Sequence, residues 1–192
     1  MRLTINLWQL IGFAVTSLTG IILHFFYEWT QSLLIAPFSC VNESIWEHMK
    51  IAFWPMLIFA IIQSFYFKDR KDFWSIKLKG ILLGIILIPI IFYTFNGVIG
   101  KSPDWINIII FFISIAVTYI YERKQLINDE KHYKSPKIAI SILILISLLF
   151  IIFTFKTPEI GIFIDPQTNT YGIDRKDKKG LLHCELILFL IL

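Results

Sequence analysis

The sequence predicts an all-α fold, an integral membrane helical bundle of about five transmembrane helices. Of the 192 residues, 56% are hydrophobic and 17% are charged, whereas soluble domains are about 45–50% apolar and about 25% charged. The mean hydropathy is +0.70. The apolar residues form long continuous runs, which lack the alternation of barrel strands and must satisfy their backbone groups as helices in lipid. These observations exclude a soluble enzyme, a disordered chain and a nucleic-acid-binding module.

Each of five apolar runs meets or approaches the roughly 20 residues that a helix needs to cross a bilayer core. The first run is long and no small-residue cleavage pattern follows it, so we interpret it as a retained helix and not a signal peptide. The second helix starts early, because Asn42 suits an N-cap and Glu43 suits a first turn. The predicted helices span residues 6–26, 42–67, 77–98, 105–122 and 137–155. They form one polytopic membrane domain over 1–173, with an outer turn-rich segment at 156–173, and 174–192 is a tail to which we assign no structure.

Basic residues predict the orientation, because lysine and arginine concentrate in cytoplasmic loops. The links after the second and the fourth helix each contain five basic residues, whereas the other two links contain one each, Lys50 and Lys101. The N-terminus is therefore expected in the cytoplasm, and the protein in the cell membrane. We attribute the net charge of +4 to basic residues at the cytoplasmic leaflet, which attract anionic lipid, and not to nucleic-acid binding. The lipid bilayer is the expected partner, and a homo-oligomer or a membrane partner stays open.

Ionisable side chains collect where the first two helices meet the outer membrane surface. His24 and Glu28 share a helix face, as do Glu43 and Glu47, because four residues separate each pair; His48 follows directly. Carboxylates near lipid are costly unless they are paired, protonated or metal-bound. Such nitrogen and oxygen donors suit a divalent metal such as Zn²⁺. The candidate metal ligands are His24, Glu28, Glu43, Glu47 and His48. Glu47 and His48 are the candidate catalytic residues, and the supporting residues are Asn42, Ser44, Tyr93, Asp165 and Tyr171.

The cluster allows several interpretations. Its spacing matches neither HExxH nor the ExxH of di-iron bundles, and its acidic residues could simply stabilise a helix start. A metal-free site would use Glu43 or Glu47 as a general base with His48 or His24 as the acid. The function classes are therefore a non-enzymatic membrane protein, a membrane-embedded metal hydrolase of a lipid or peptide, and a proton- or cation-coupled carrier. The carrier ranks last, because five helices leave little room for two repeats that alternate access.

The residues around this cluster resemble the signature of an uncharacterised family of small multi-pass bacterial membrane proteins, a domain of unknown function. The resemblance rests on His24-Phe25-Phe26-Tyr27-Glu28-Trp29, on Val41-Asn42-Glu43-Ser44-Ile45-Trp46-Glu47-His48 and on the later Asp165-Pro166 to Tyr171-Gly172-Ile173 stretch. It covers about residues 5–173. It implies a membrane protein without an assigned activity, and a signature that concentrates on polar outer residues favours a functional site there.

Overall fold

The protein was analysed as a computed structural model that describes residues 2–100, 102–128 and 135–173. The tail 174–192 lies outside the described residues. The described part is all-helical, as predicted, and contains no β-strand beyond one isolated bridge. Within the described residues, five helices are long and apolar enough to cross a membrane. They are α1 (Arg2–Thr30), α2 (Ile45–Tyr66), α3 (Phe73–Val98), α4 (Asp104–Ile127) and α5 (Pro136–Phe155).

The start of α2 differs from the prediction. Asn42 was expected to cap this helix, but Ser44 is the N-cap, and its side chain accepts a hydrogen bond from Glu47 N–H at 3.4 Å. The Asn42 side chain instead accepts a hydrogen bond from Ser44 N–H (2.9 Å), which is a local turn that competes with the helix. Glu43 therefore lies in the loop before α2 and not on a helix face with Glu47.

Small residues allow the helices to approach closely. α1 lies against α2 and α4, and α3 lies against α2, α4 and α5. On α3, a Cβ at Gly84 would come 2.2 Å from the Thr118 hydroxyl oxygen of α4, and one at Gly80 would come 2.7 Å from the Glu122 side chain. Thr118 also donates a hydrogen bond to the Gly80 carbonyl (3.1 Å). This small-xxx-small spacing is typical of helix pairs in membranes.

The exposed and buried residues of α1 are distributed in the opposite way to those of a soluble helix. Leu10 and Leu18 are 65% and 63% exposed, whereas Gln9 is 3% and Thr16 is 0% exposed. The buried stripe of α1 consists mainly of polar and small residues. The helix thus directs its large apolar side chains outward and its polar side chains into the bundle.

Among the lysines that the sequence assigned to links, Lys50 and Lys77 lie buried inside helices. Lys50 belongs to α2 and is 0% exposed, and Lys77 belongs to α3 and is 1% exposed. Each is buried because it is paired with a carboxylate: Lys50 Nζ lies 2.6 Å from Glu47 Oε2, and Lys77 Nζ lies 2.5 Å from Glu122 Oε2. These two residues are structural and carry no information on the orientation of the chain.

The segment after α5 folds over the start of α2. It contains a 3₁₀ turn (Gly161–Phe163) and an antiparallel bridge between Ile164 and Tyr171. The Phe163 and Trp46 ring centroids lie 4.7 Å apart, and Phe163 is 3% exposed. This segment therefore packs against the end of the bundle where the predicted site lies.

Candidate functional site

The chain that follows α1 runs back along this helix and brings Glu43 to His24. The Ser39 hydroxyl accepts a hydrogen bond from Tyr27 N–H (2.8 Å) and donates one to the Leu23 carbonyl. A regular α-helix joins these two backbone groups directly, so the Ser39 side chain is inserted at the last turns of α1. The Cys40 N–H also donates a hydrogen bond to the Leu23 carbonyl (3.1 Å). These bonds hold the loop beside the turn of α1 that carries His24.

Glu43 lies between two histidines. Its Oε1 is 3.5 Å from His24 Nε2, and its Oε2 is 3.7 Å from His48 Nε2. The two imidazole centroids are 5.5 Å apart. One ligand atom from each of the three residues lies within 4.8 Å of the other two. Three elements, α1, the loop and α2, therefore contribute one donor each to a common point.

The orientation of His48 is fixed by its second ring nitrogen. Its Nδ1 lies 2.9 Å from the Ser44 carbonyl oxygen one turn earlier on the chain. Because a carbonyl only accepts hydrogen bonds, Nδ1 donates this bond, and Nε2 faces Glu43 Oε2 at 3.7 Å. Histidine ligands commonly donate their second nitrogen to a carbonyl in this way, which fixes the tautomer and the ring orientation. The His24 Nδ1 atom is buried and has no hydrogen-bond partner among the described residues.

The outer segment fixes the backbone around Glu43. Glu43 N–H donates to Asp165 Oδ2 (3.4 Å), and the Asn42 amide donates to the Gly172 carbonyl (3.0 Å). Asn42 also accepts the Ser44 N–H bond described above. Three of the predicted supporting residues, Asn42, Ser44 and Asp165, thus position the site and do not enter the group of donors.

Glu43 is an anion in this environment. The pKa of its carboxyl lies below the ordinary value because a hydrogen bond from His24 stabilises the ionised form. The charges of the two imidazoles lower the pKa further, and partial burial opposes them. A carboxylate must be ionised to bind a metal, so Glu43 is held in the form that a metal site needs.

Two predicted ligands lie outside the group of donors. Glu28 is exposed on α1. Glu47 is buried and accepts hydrogen bonds from Lys50 Nζ (2.6 Å) and from Val41 N–H (2.9 Å). Lys50 Nζ also donates to the Ala36 carbonyl (2.8 Å) and to a threonine hydroxyl of α5 (3.0 Å). Glu47 therefore anchors the loop to the bundle, and the structure brings together three of the five predicted ligands.

The remaining supporting residues lie apart from the donors. Tyr93 is 47% exposed on α3, and Tyr171 belongs to the bridge of the outer segment. Asn107 and Gln167, which were not predicted, line the cavity beside the donors. Gln167 lies within the Asp165-Pro166 stretch and Asn107 is a lone polar residue in an apolar run, but only the folded chain shows that both line one cavity.

A cavity of about 400 Å³ opens next to the three donors. His24, Glu43 and His48 line it together with the two amides named above and with apolar residues of α1, α2 and α4. Gly20 forms part of the wall, and a Cβ there would come 2.4 Å from the Phe111 ring. Volumes of this size accommodate small molecules in mostly apolar sites with a few polar groups.

The donor set fits a zinc ion. Ligands of tetrahedral zinc lie about 2.0–2.2 Å from the metal, and so roughly 3.4 Å from one another. Glu43 Oε1 lies 3.5 Å from His24 Nε2 and Glu43 Oε2 lies 3.7 Å from His48 Nε2. One ligand atom from each residue lies within 4.8 Å of the other two, so the donors would draw closer together around a zinc ion. Two histidines and one glutamate with an open fourth position form a donor set of catalytic zinc sites.

Comparisons with known proteins place the chain in a family without giving it an activity. No curated protein and no solved structure matches the chain. The model of DUF6512, a family of unknown function, matches residues 2–173. This match includes every donor, the loop that carries Glu43 and the outer segment that covers it. The chain therefore belongs to the DUF6512 family of unknown function.

Proposed function

We propose that the protein is an integral membrane protein that binds a divalent metal, Zn²⁺ in the first place, and uses it to hydrolyse a lipid or peptide substrate. The convergence of His24, Glu43 and His48 beside a largely apolar cavity carries this proposal. Three protein ligands leave the fourth coordination position of a zinc ion open for water or substrate.

The surface of the bundle supports the membrane location. Side chains such as Leu10 and Leu18 are largely exposed, whereas polar side chains such as Gln9 are buried. Exposed apolar surface on this scale is unfavourable in water and is solvated by lipid. Some of the buried polar side chains form interhelical hydrogen bonds, as Thr16 and Tyr119 do across α1 and α4 (2.6 Å).

We also propose a cytoplasmic N-terminus, which places the site at the outer face. The basic residues outside the helices support it, since those between α2 and α3 include Lys68, Arg70 and Lys71. In cells, a membrane-impermeant maleimide should label the exposed Thr168→Cys variant and spare Lys68→Cys, in backgrounds without the native cysteines. Labelling of Lys68→Cys alone would reverse the proposed orientation.

Each group has a role in this proposal. A bound Zn²⁺ would supply a Lewis acid that activates water near neutral pH. His24 and His48 offer imidazole nitrogen, and Glu43 offers an anionic oxygen. The amides of Asn107 and Gln167 can donate hydrogen bonds to a substrate oxygen in the cavity. Glu47 anchors the loop in this scheme, because Lys50 and a backbone amide already occupy its carboxylate.

Elemental analysis of the purified protein tests the metal site. We expect about one zinc ion per chain in the wild type, and a loss of at least about tenfold in affinity in His48→Ala and Glu43→Gln. Glu28→Gln is the matched control, because it removes an exposed carboxylate of the same region without touching the donors. Equal metal content in all four proteins would overturn the metal site.

A metal-free acid–base site is the second candidate, because Glu43 contacts both imidazoles directly. It predicts hydrolysis that persists in a strong chelator and is lost in Glu43→Gln. Loss of activity in the chelator with recovery on adding Zn²⁺ would refute it.

A further inference from the structure

We infer that the substrate is a membrane lipid with an uncharged carboxylic ester, which enters with an acyl chain between α1 and α4. This inference rests on the proposed function, because it names the substrate of the same site. It commits to a lipid and excludes a peptide and a phosphate ester at the reacting position.

The cavity opens onto the apolar outer surface of the bundle. Three of its lining residues are themselves partly exposed on that surface: Ile21 (42%), Phe25 (40%) and Ile108 (57%). Ile21 and Phe25 belong to α1, and Ile108 belongs to α4. Since these faces would contact lipid in a bilayer, an acyl chain reaches the cavity sideways without passing through water.

The size of the cavity suits the reacting part of a lipid and not a whole lipid. Its 400 Å³ lie near the lower end of the range of about 300–1,000 Å³ for small-molecule sites. The cavity therefore suits an ester linkage and the first carbons of a chain. The rest of the lipid would remain in the bilayer, against the exposed apolar residues.

The lining favours an acyl chain over a peptide. A peptide in an apolar site must satisfy its backbone N–H and C=O groups, and each unsatisfied group is costly in lipid. Apart from the three donors, the polar side chains that line this cavity among the described residues are the amides Asn107 and Gln167. Two amides suffice for one ester carbonyl, whereas a peptide segment presents a donor and an acceptor at every residue.

The charges favour an uncharged ester over a phosphate ester. The described residues that line the cavity include no lysine and no arginine, which are the usual partners of phosphate. The nearby Lys50 is occupied by Glu47, a backbone carbonyl and a threonine hydroxyl. A carboxylic ester brings no charge into the site and needs no such partner.

The reaction is a hydrolysis and needs no reductant or oxidant. The oxygen of water forms a bond to the acyl carbon, and the bond from that carbon to the alcohol oxygen breaks. The alcohol oxygen takes one proton from water, the acyl group leaves as a carboxylate, and the second proton is released.

A photoreactive monoacylglycerol tests the inference. The probe carries a diazirine in its acyl chain, and the full-length protein is reconstituted in phosphatidylcholine nanodiscs. After illumination, mass spectrometry locates the labelled residues. We expect labelling around residues 20–25 and 108–112, and a decrease of at least about fivefold in Ile21→Trp, which fills the cavity. Ile22→Trp is the matched control, because Ile22 is an exposed neighbour that does not line the cavity.

The outcomes separate this inference from the metal proposal. Labelling spread evenly over the apolar surface, with Ile21→Trp equal to Ile22→Trp, overturns the lipid inference even if zinc binds. Displacement of the probe by an apolar peptide overturns it as well. Labelling confined to the cavity in a protein that binds no zinc supports the lipid ligand and overturns the metal proposal. Release of fatty acid by the zinc-loaded wild type, but not by Ile21→Trp, supports both.

Discussion

Replacement of Gly84 by alanine should weaken the contact between α3 and α4. The added methyl group would lie 2.2 Å from the Thr118 hydroxyl oxygen, 3.4 Å from the Ser114 carbonyl oxygen and 3.5 Å from a methionine methyl group of α2. Thr118 cannot turn away without cost, because its hydroxyl bonds to the carbonyls of Gly80 (3.1 Å) and Ser114 (3.0 Å). The two helices must therefore separate or lose these bonds.

The expected loss follows from three contributions. Overpacking costs about 1–3 kcal/mol, and loss of an interhelical hydrogen bond in a membrane bundle costs about 0.6 kcal/mol. Alanine returns up to about 1 kcal/mol of helix propensity relative to glycine. The free energy of unfolding should thus fall by about 1.5 kcal/mol, which corresponds to about 3–6 °C in Tm for a chain of this size.

Thermal unfolding in detergent micelles measures the effect. Gly97→Ala is the control in the same helix, because a Cβ at Gly97 meets no atom within 4 Å, and we expect no loss of Tm. The double variant Gly84→Ala/Thr118→Ala should recover most of the loss, since it removes the conflicting oxygen. If Gly84→Ala and Gly97→Ala unfold at the same temperature, α3 and α4 do not pack through Gly84.

Three further predictions concern buried groups. Lys77→Met should lower the free energy of unfolding by about 3–5 kcal/mol because it leaves the Glu122 charge buried without its partner. The double variant Lys77→Met/Glu122→Leu should be much closer to the wild type in stability. Equal losses for the two variants in denaturant titrations would contradict this. Ser39→Ala should lower the free energy of unfolding by about 1–3 kcal/mol and weaken zinc binding about tenfold or more, and unchanged zinc affinity by calorimetry would show that this loop does not position the site. Burial, and then the nearby acidic residues, raise the pKa of the Cys40 thiol well above its ordinary value; in a Cys184→Ser background, iodoacetamide at pH 8 should react slowly until detergent denatures the protein. Because folding raises this pKa, the contribution of the Cys40 thiol to the free energy of unfolding is present below the pKa of the unfolded thiol and is lost as the pH rises above it. Fast alkylation of the native protein would argue against the burial of Cys40.

Much of the fold follows from the apolar runs. All five predicted helices are present, because a run of about 20 apolar residues has few alternatives to a helix. The ends were less predictable: α1 extends to Arg2 and Thr30, beyond the apolar run, because polar residues can continue a helix. The start of α2 was misassigned because asparagine and serine both suit an N-cap, and Ser44 accepts the Glu47 amide bond.

The candidate site was only partly predictable. The spacing of Glu43 and Glu47 suggested one face of one helix, but Glu43 precedes the helix and Glu47 turns to Lys50. Charge spacing does not reveal which carboxylate is neutralised inside the bundle, because Lys50 reaches Glu47 only once the turn is formed. Asn107 and Gln167 line the same cavity as the donors through the packing of distant segments, for which no local pattern exists.

The adjacency of Glu47 and His48 has a consequence for engineering. These neighbours belong to one turn of α2, yet Glu47 bonds to Lys50 and the loop while His48 turns to Glu43. The Glu47–Lys50 pair that holds the loop and the proposed metal ligand His48 therefore share a helical turn but no side chain. Exchange of His24 or His48 for other donor residues would change the ion preference of the proposed site. The Glu47–Lys50 pair that holds the loop would stay intact.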